Sequence, residues 1–374
     1  VPKFTFKPED LRLVLSLARI VKPETKDLSF TFSPDALTVF SFDKRRYSCA
    51  RIPVGDSRAP DDWRSPEYYI TLDRVALFES DLTSVSISVN EKSLIVSATD
   101  GDQVRKANLK RRSVRSRRPA VPGPPSVAFH EVPTAELDVL LGQVSCSAMV
   151  KETKTEEEMR VHQVHFYGES GHASSNARYH GSIARLDGLG IDVSVVSSDL
   201  PLIKAFCSRI PGETARIGYD DSRLYLADPT TGSFMGLSRV ASRKPPLAVL
   251  DTDKFETVLV ADQAQLLKNL GWAQLAIEGT QRLSFRARKD GDGGELELLH
   301  GAEEISRFPI RFVKGDRLSA DFPARFLHSI VKHVDGDVAM GFDHPEAPKV
   351  LGVFRHEAEG PVRYAHYLMS MVSR

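Results

Sequence analysis

The chain lacks any apolar run approaching the roughly 20 residues that cross a bilayer as a helix, which argues against a membrane-spanning role. Its opening residues, VPKFTFKPED, are too polar for the apolar stretch of a secretory leader, so the expected compartment is the cytoplasm. Cysteine is scarce. Cys49, Cys146 and Cys207 are isolated, odd in number and free of C-x-x-C spacing, so buried reduced thiols are expected rather than a disulfide framework or a thiolate metal site. Neither sign of charge is in excess, with 50 Lys and Arg against 50 Asp and Glu, whereas a protein that grips nucleic acid by net charge alone is basic. A polyanion partner must therefore meet a local surface, or be held by something other than affinity.

Catalytic strings are missing too: there is no G-x-S-x-G, H-E-x-x-H or P-loop. The glycines of GLG, at 188–190, precede a strand instead of following one, the wrong context for a dinucleotide. DGDGGE opens like a calcium loop, but the twelfth position from Asp290 is Gly301 where a bidentate Glu is needed. His162, His165, His172 and His180 invite a metal, yet His162 and His165 would face opposite ways on one strand. Asp251 and Asp253 read as helix-start residues. These observations predict no catalytic site, no metal and no cofactor.

What is present is ordinary in amount and repetitive in arrangement. The 374 residues, 41% hydrophobic and 27% charged, suit a globular protein of two or three domains. The opening copy of the repeat reads KFTF as a strand, PEDLRLVLSLARIV as a helix with Leu11, Val14, Leu15 and Ala18 on one face, then LSFTFS, ALTVFSFD and YSCARIPV as strands. The unit recurs from EYYITL, from SVAFHEVP, from IDVSVVS, from LAVL and from DRLSADFP. In the third copy MRVHQVHFYGE (159–169) reads as a strand. In the fifth, the helix reads as 251–268, followed by strands WAQLAIEG (272–279), RLSFRARKD (282–290) and ISRFPIRFV (305–313).

A lone β-α-β-β-β unit cannot cover both surfaces of its sheet, whereas two packed together can. Six copies thus predict an α+β chain of three tandem domains, each a doubled unit, with boundaries at 1–120, 121–245 and 246–374. The Pro-rich, basic linker SVRSRRPAVPGPPS (113–126) and ASRKPP (241–246) punctuate those boundaries.

Three further segments complete the reading. SSNARYHGSIA carries Arg178 and Tyr179, LSRVASRKPP carries Ser238, Arg239 and Pro245, and the chain closes on the alternating VRYAHYLMSMVSR with Met369, Ser370 and Met371. In architecture and in these segments the chain resembles the bacterial-type β sliding clamps, processivity factors of replicative DNA polymerases. The resemblance implies a homodimeric ring, with helices inside and sheets outside, that encircles double-stranded DNA without sequence preference and is served by a DNA polymerase and a clamp loader. It implies no enzymatic activity. It also implies a partner-peptide pocket at Arg178, Tyr179, Pro245, Leu247, Met369, Ser370 and Met371, where unbranched thioethers repack around different ligands. Another reading is a hub of this fold that binds peptides without enclosing DNA.

If helices line a hole, their cations face phosphate. Arg12, Ser16 and Arg19 form a basic–Ser–basic stripe at i, i+4 and i+7, and Arg325, Ser329 and Lys332 repeat it. Lys22, Arg74, Lys204, Arg209, Lys254 and Lys268 add cations on or beside the remaining helices. Any amphipathic helix also carries such residues on its wet face. The run LKRRSVRSRRP at 109–119, with six Lys or Arg, reads first as a solvated linker.

Overall fold

A computed structural model describes residues 1–78, 82–111, 121–145, 155–168, 171–176, 180–186, 188–241, 251–277, 282–291, 293–334, 336–356 and 364–369. The unit of lead strand, helix and three sheet strands occurs six times. Copy one is Lys3–Phe6, helix α1 (Pro8–Ala18), Asp27–Phe32, Ala36–Asp43 and Arg46–Pro53. Copy two is Tyr68–Thr71, α2 (Leu72–Val75), Ser84–Asn90, Ser93–Asp100 and Gln103–Lys110. Copy three is Phe129–Pro133, α3 (Thr134–Ser145), an added helix α4 (Glu156–Val161), Gln163–Tyr167, His172–Asn176 and His180–Arg185. Copy four is Val193–Val196, α5 (Leu200–Cys207), Thr214–Tyr219, Arg223–Ala227 and Phe234–Ser238. Copy five is Thr257–Ala261, α6 (Gln263–Ala276), Arg282–Asp290, Gly293–His300 and Glu303–Lys314. Copy six is Arg317–Pro323, α7 (Ala324–Val331), Val338–Phe342, Val350–Arg355 and Tyr364–Met369.

Two stretches differ from the sequence reading. Thr155 and Glu158 form a reciprocal capping box that starts α4, so Met159–Val161 are helical and the strand begins only at Gln163. In copy five the lead strand is Thr257–Ala261 and not LAVL; the latter lies outside the described residues. The Asp262 side chain then accepts the Gln265 N–H at 2.8 Å and caps α6, which runs through WAQLA instead of stopping at Lys268. The segment GGELELLH, Gly293–His300, is a strand that the sequence reading omitted.

The sheets show how the copies are joined. In every consecutive pair the lead strand of one copy joins the three sheet strands of the other. Lys3–Phe6 pairs with Ser84–Asn90, and Tyr68–Thr71 pairs with Asp27–Phe32. The same exchange links copies three and four, and copies five and six. This is the doubled unit of a three-domain fold.

The chain divides into two compact units, Val1–Asp138 with Pro201–Arg239, and Val139–Leu200 with Val240–Arg374. In the first, the last strand of copy four pairs antiparallel with the last strand of copy one, from Phe234↔Cys49 to Leu237↔Arg46, making one eight-stranded sheet. A five-stranded sheet ends at Gln103–Lys110, whose one neighbour among the described strands is Ser93–Asp100. In the second unit, the last strand of copy six pairs with that of copy three, from His180↔Leu368 to Ala184↔Tyr364, within a twelve-stranded sheet. There Glu303–Lys314 pairs with Gly293–His300 along 303–310, and meets the lead strand only through Arg311–Lys314.

The core of the second unit packs Leu266 and Leu270 of α6 and Leu327 and Ile330 of α7 on Phe285, Leu296, Phe322, Met340 and Val353. On the opposite sheet face the Phe255 ring covers the cross-strand pair Gly341↔Gly352, and a methyl at Gly352 would stand 2.6 Å from that ring. Gly352→Ala is accordingly expected to cost about 1–3 kcal/mol in urea unfolding, as overpacking does. The double variant Gly352→Ala/Phe255→Leu should recover part of that loss. No recovery would place the cost elsewhere.

Candidate nucleic-acid and partner surfaces

Helix α1 starts at Pro8 with Glu9 and Asp10 in its first turn, where acids suit the dipole, and buries Leu11, Val14, Leu15, Leu17 and Ala18. That burial leaves Arg12 and Arg19 exposed and Ser16 half-buried between them. The Ser16 hydroxyl donates back to the Leu13 carbonyl at 2.8 Å. Arg209, just beyond α5, donates from Nη1 to the Ser16 carbonyl at 2.6 Å. Arg12, Arg19 and Arg209 therefore share one face of the first unit. Lys22 and Arg74 are exposed on the turn after α1 and on α2. Lys204 is half-buried and meets Asp138 of α3 at 3.5 Å, so its charge is already partly matched within the fold.

In the second unit Lys268 is exposed on α6 and Lys332 at the C-terminal cap of α7. The side chain of Arg325 lies outside those described. Lys254, read from sequence as helical, stands on a short 3-10 turn, Thr252–Lys254, where it meets Asp251 at 3.2 Å. The reason is the displaced start of α6.

The corrected helix exposes what the sequence reading missed. Leu266, Leu270 and Ala273 are buried at helical spacing, which turns Lys268, Trp272 and Leu275 outward as a stripe at i, i+4 and i+7. Trp272 is 60% exposed and Leu275 82%. The spacing of the buried residues was the signal that would have placed them. Eight large apolar side chains are exposed among the described residues, and five belong to copies two and five. Leu77 follows α2, Val104 is on the last strand of copy two, Trp272 and Leu275 are on α6, and Val313 is on the last strand of copy five.

Of the partner-peptide residues implied by resemblance, Arg178, Tyr179, Pro245, Leu247, Ser370 and Met371 lie outside the described residues. Met369 ends the strand Tyr364–Met369, opposite Val350, and is exposed after four buried residues. The same strand lays the Tyr367 ring over Gly181 of the neighbouring strand, a position where any side chain would collide with it.

The histidines separate. His162 caps α4, whereas His165 lies on a strand where its Nδ1 contacts the Ser194 hydroxyl and its Nε2 stands 3.1 Å from Asp192. His180 stacks on Phe326 of α7 at 4.4 Å. His366, fully buried, bonds through Nδ1 to the Ser182 hydroxyl at 2.7 Å. Burial, reinforced by His333 and His180, pushes its pKa down to about 3. Among the described residues no three His, Cys, Asp or Glu are arranged to hold a metal ion. No described helix is long and apolar enough to cross a membrane.

This arrangement is the fold of the bacterial β sliding clamps. The chain is similar over its whole length to the DNA polymerase III β subunit of Thermotoga maritima, with a TM-score of 0.72, 14% identity and 100% of each chain covered. The β subunit from Pseudomonas aeruginosa gives a TM-score of 0.74 at 14% identity, covering 99% of this chain and 100% of that one. A DnaN sliding clamp of the same organism, bound to griselimycin, gives 0.72 at 13% identity with both chains fully covered. No protein-family model and no curated protein matches the chain.

Proposed function

We propose that two copies of this chain close into a ring around double-stranded DNA and tether a DNA polymerase for processive synthesis. The observation that carries the reading is the pairing of last strands. Copy four pairs with copy one and copy six with copy three, in each case an even copy with an odd one. The repeat leaves copies two and five, whose last strands keep an open edge among the described residues, Gln103–Lys110 along its length and Glu303–Lys314 along 303–310. Their helices and last strands carry Leu77, Val104, Trp272, Leu275 and Val313, apolar and exposed in the single chain. Exposed apolar groups on the same copies as open sheet edges mark an association surface.

A head-to-tail pairing of copy two with copy five of a second molecule satisfies both edges, and twofold symmetry repeats it to close the assembly. Domains at 1–120, 121–245 and 246–374 would then form a six-domain ring. Enclosure also explains the neutral composition, since a closed ring needs only weak phosphate contacts from residues such as Arg12, Arg19, Arg209, Lys268 and Lys332. A clamp loader would open the ring, and partners would exchange at the Met369 pocket. The reading assigns no catalysis and a cytoplasmic site of action.

The test is topological. Protein loaded on nicked circular duplex should stay bound through a high-salt wash and be lost when the circle is linearised. Equal retention on both forms would support grip instead of enclosure. A stable monomer would favour the peptide-binding hub.

A further inference from the structure

The face of the copy-five sheet turned away from α6 and α7 carries a groove of about 810 Å³ that the clamp reading leaves unused. Its floor is Arg282–Asp290, Gly293–His300 and Arg317–Pro323, three adjacent strands. One wall is the turn 343–349, held to the edge strand by the Ser319 N–H donating to the Pro345 carbonyl at 2.7 Å.

Alternation along the strand puts Leu283, Phe285 and Ala287 in the core and Arg286 and Arg288 in the groove. Arg288 stands directly opposite Arg317 on the neighbouring strand, a like-charge pairing that costs stability. The glutamates opposite the two arginines are engaged elsewhere. Arg307 holds Glu297 at 3.0 Å and Glu295 at 3.4 Å. Arg317 meets Glu346 at 3.1 Å. Among the described residues Arg286 and Arg288 form no ion pair. Two guanidiniums two residues apart thus face one groove, and neither forms an ion pair with the acids that also line it.

We propose that this groove binds an extended segment of a partner protein with acidic side chains at alternate positions, Asp or Glu at i and i+2. In an extended chain, residues i and i+2 share a face about 6.7 Å apart, the same repeat that separates Arg286 from Arg288 on their strand. Each carboxylate then meets one guanidinium in the bidentate geometry that makes such pairs strong. Asp290, Glu295, Glu297 and Glu346 line the same groove, so the occupant must place negative charge only over the two guanidiniums and uncharged residues over the acids. Two carboxylates at alternate positions can do so, whereas the unbroken phosphates of a nucleic acid cannot. The inference does not depend on ring closure and holds for a monomer.

Fluorescence anisotropy on the full chain tests it. The probe is labelled Gly-Glu-Ser-Glu-Gly; the comparators are its glutamine analogue, Gly-Ser-Glu-Glu-Gly with adjacent acids, and a short oligodeoxythymidine. The alternating peptide should bind at least about tenfold more tightly than the glutamine analogue, as expected of two charge-assisted contacts. It should also bind more tightly than the adjacent-acid peptide and the oligonucleotide. R286Q/R288Q should lose that margin while melting like wild type, and K92Q, a remote loss of one charge, should keep it. Equal binding of the acidic and glutamine peptides, no preference for alternation, tighter binding of the oligonucleotide, or an unaffected R286Q/R288Q would each overturn the proposal.

Discussion

Replacing Trp272 and Leu275 together by glutamate is expected to convert a particle of twice the 41.5 kDa chain mass into a monomer at micromolar concentration. Both side chains are largely exposed in the single chain, so the substitutions remove nothing from its core. In the proposed ring they are covered by copy two of a second molecule, around Leu77 and Val104. Central apolar anchors of interfaces cost about 2 kcal/mol or more each when lost, and a buried unpaired carboxylate costs more. Two such changes amount to roughly 4 kcal/mol, about a thousandfold in the dissociation constant. Sedimentation velocity reads the mass and circular dichroism confirms that the monomer is folded. A variant that remains dimeric would move the seam elsewhere.

Acidification below about pH 6.5 should loosen the joint between copies three and six. His366 sits on that joint, bonded to Ser182, with His333, Tyr364 and, through the adjacent strand, His180 around it. Its pKa, ordinarily 6.5, falls to about 3 in the fold, chiefly through burial and then through the two other histidines. The native state therefore keeps His366 neutral while the unfolded chain takes up a proton below about pH 6.5. Stability is full above that value and declines as pH falls toward the folded value, by up to about 1.4 kcal/mol per pH unit.

Half-buried His162, also lowered by burial against the opposing pull of Glu158, acts in the same direction. Asp220 does not share the window. Burial raises its pKa, but hydrogen bonds from Tyr225, Ser222 and Arg223 prevail and hold it at about 2, so its contribution is lost only below 3.8. Urea unfolding between about pH 6.5 and about pH 4.5 should show a loss of roughly 2–3 kcal/mol in the wild type. His366→Phe should flatten that slope even if it lowers stability at neutral pH. Parallel slopes would remove His366 as the cause.

The repeat was legible because most copies announce their elements locally. In copy one, Pro8 with two acids starts a helix, and LSFTFS and ALTVFSFD alternate as strands that cover one face. Copy five was misread because its lead strand, Thr257–Ala261, is buried throughout and so shows no alternation. The nearby Asp251 and Asp253 then resembled a helix start. That shift hid Trp272 and Leu275 inside a supposed strand and moved Lys254 onto a helix it does not occupy. The exchange of lead strands and the pairing of last strands left no local trace. Register between segments nearly 190 residues apart, as in Phe234↔Cys49 or His180↔Leu368, is decided by packing of whole sheets. The charge of the outward arginines was visible, whereas the engagement of their opposing glutamates by Arg307 was not.

Projection images of the purified wild-type particle address enclosure most directly. Two chains joined through copies two and five should appear as a closed, twofold-symmetric ring with a hole wide enough for a duplex. An open arc, or a dimer whose centre is filled, would contradict the account.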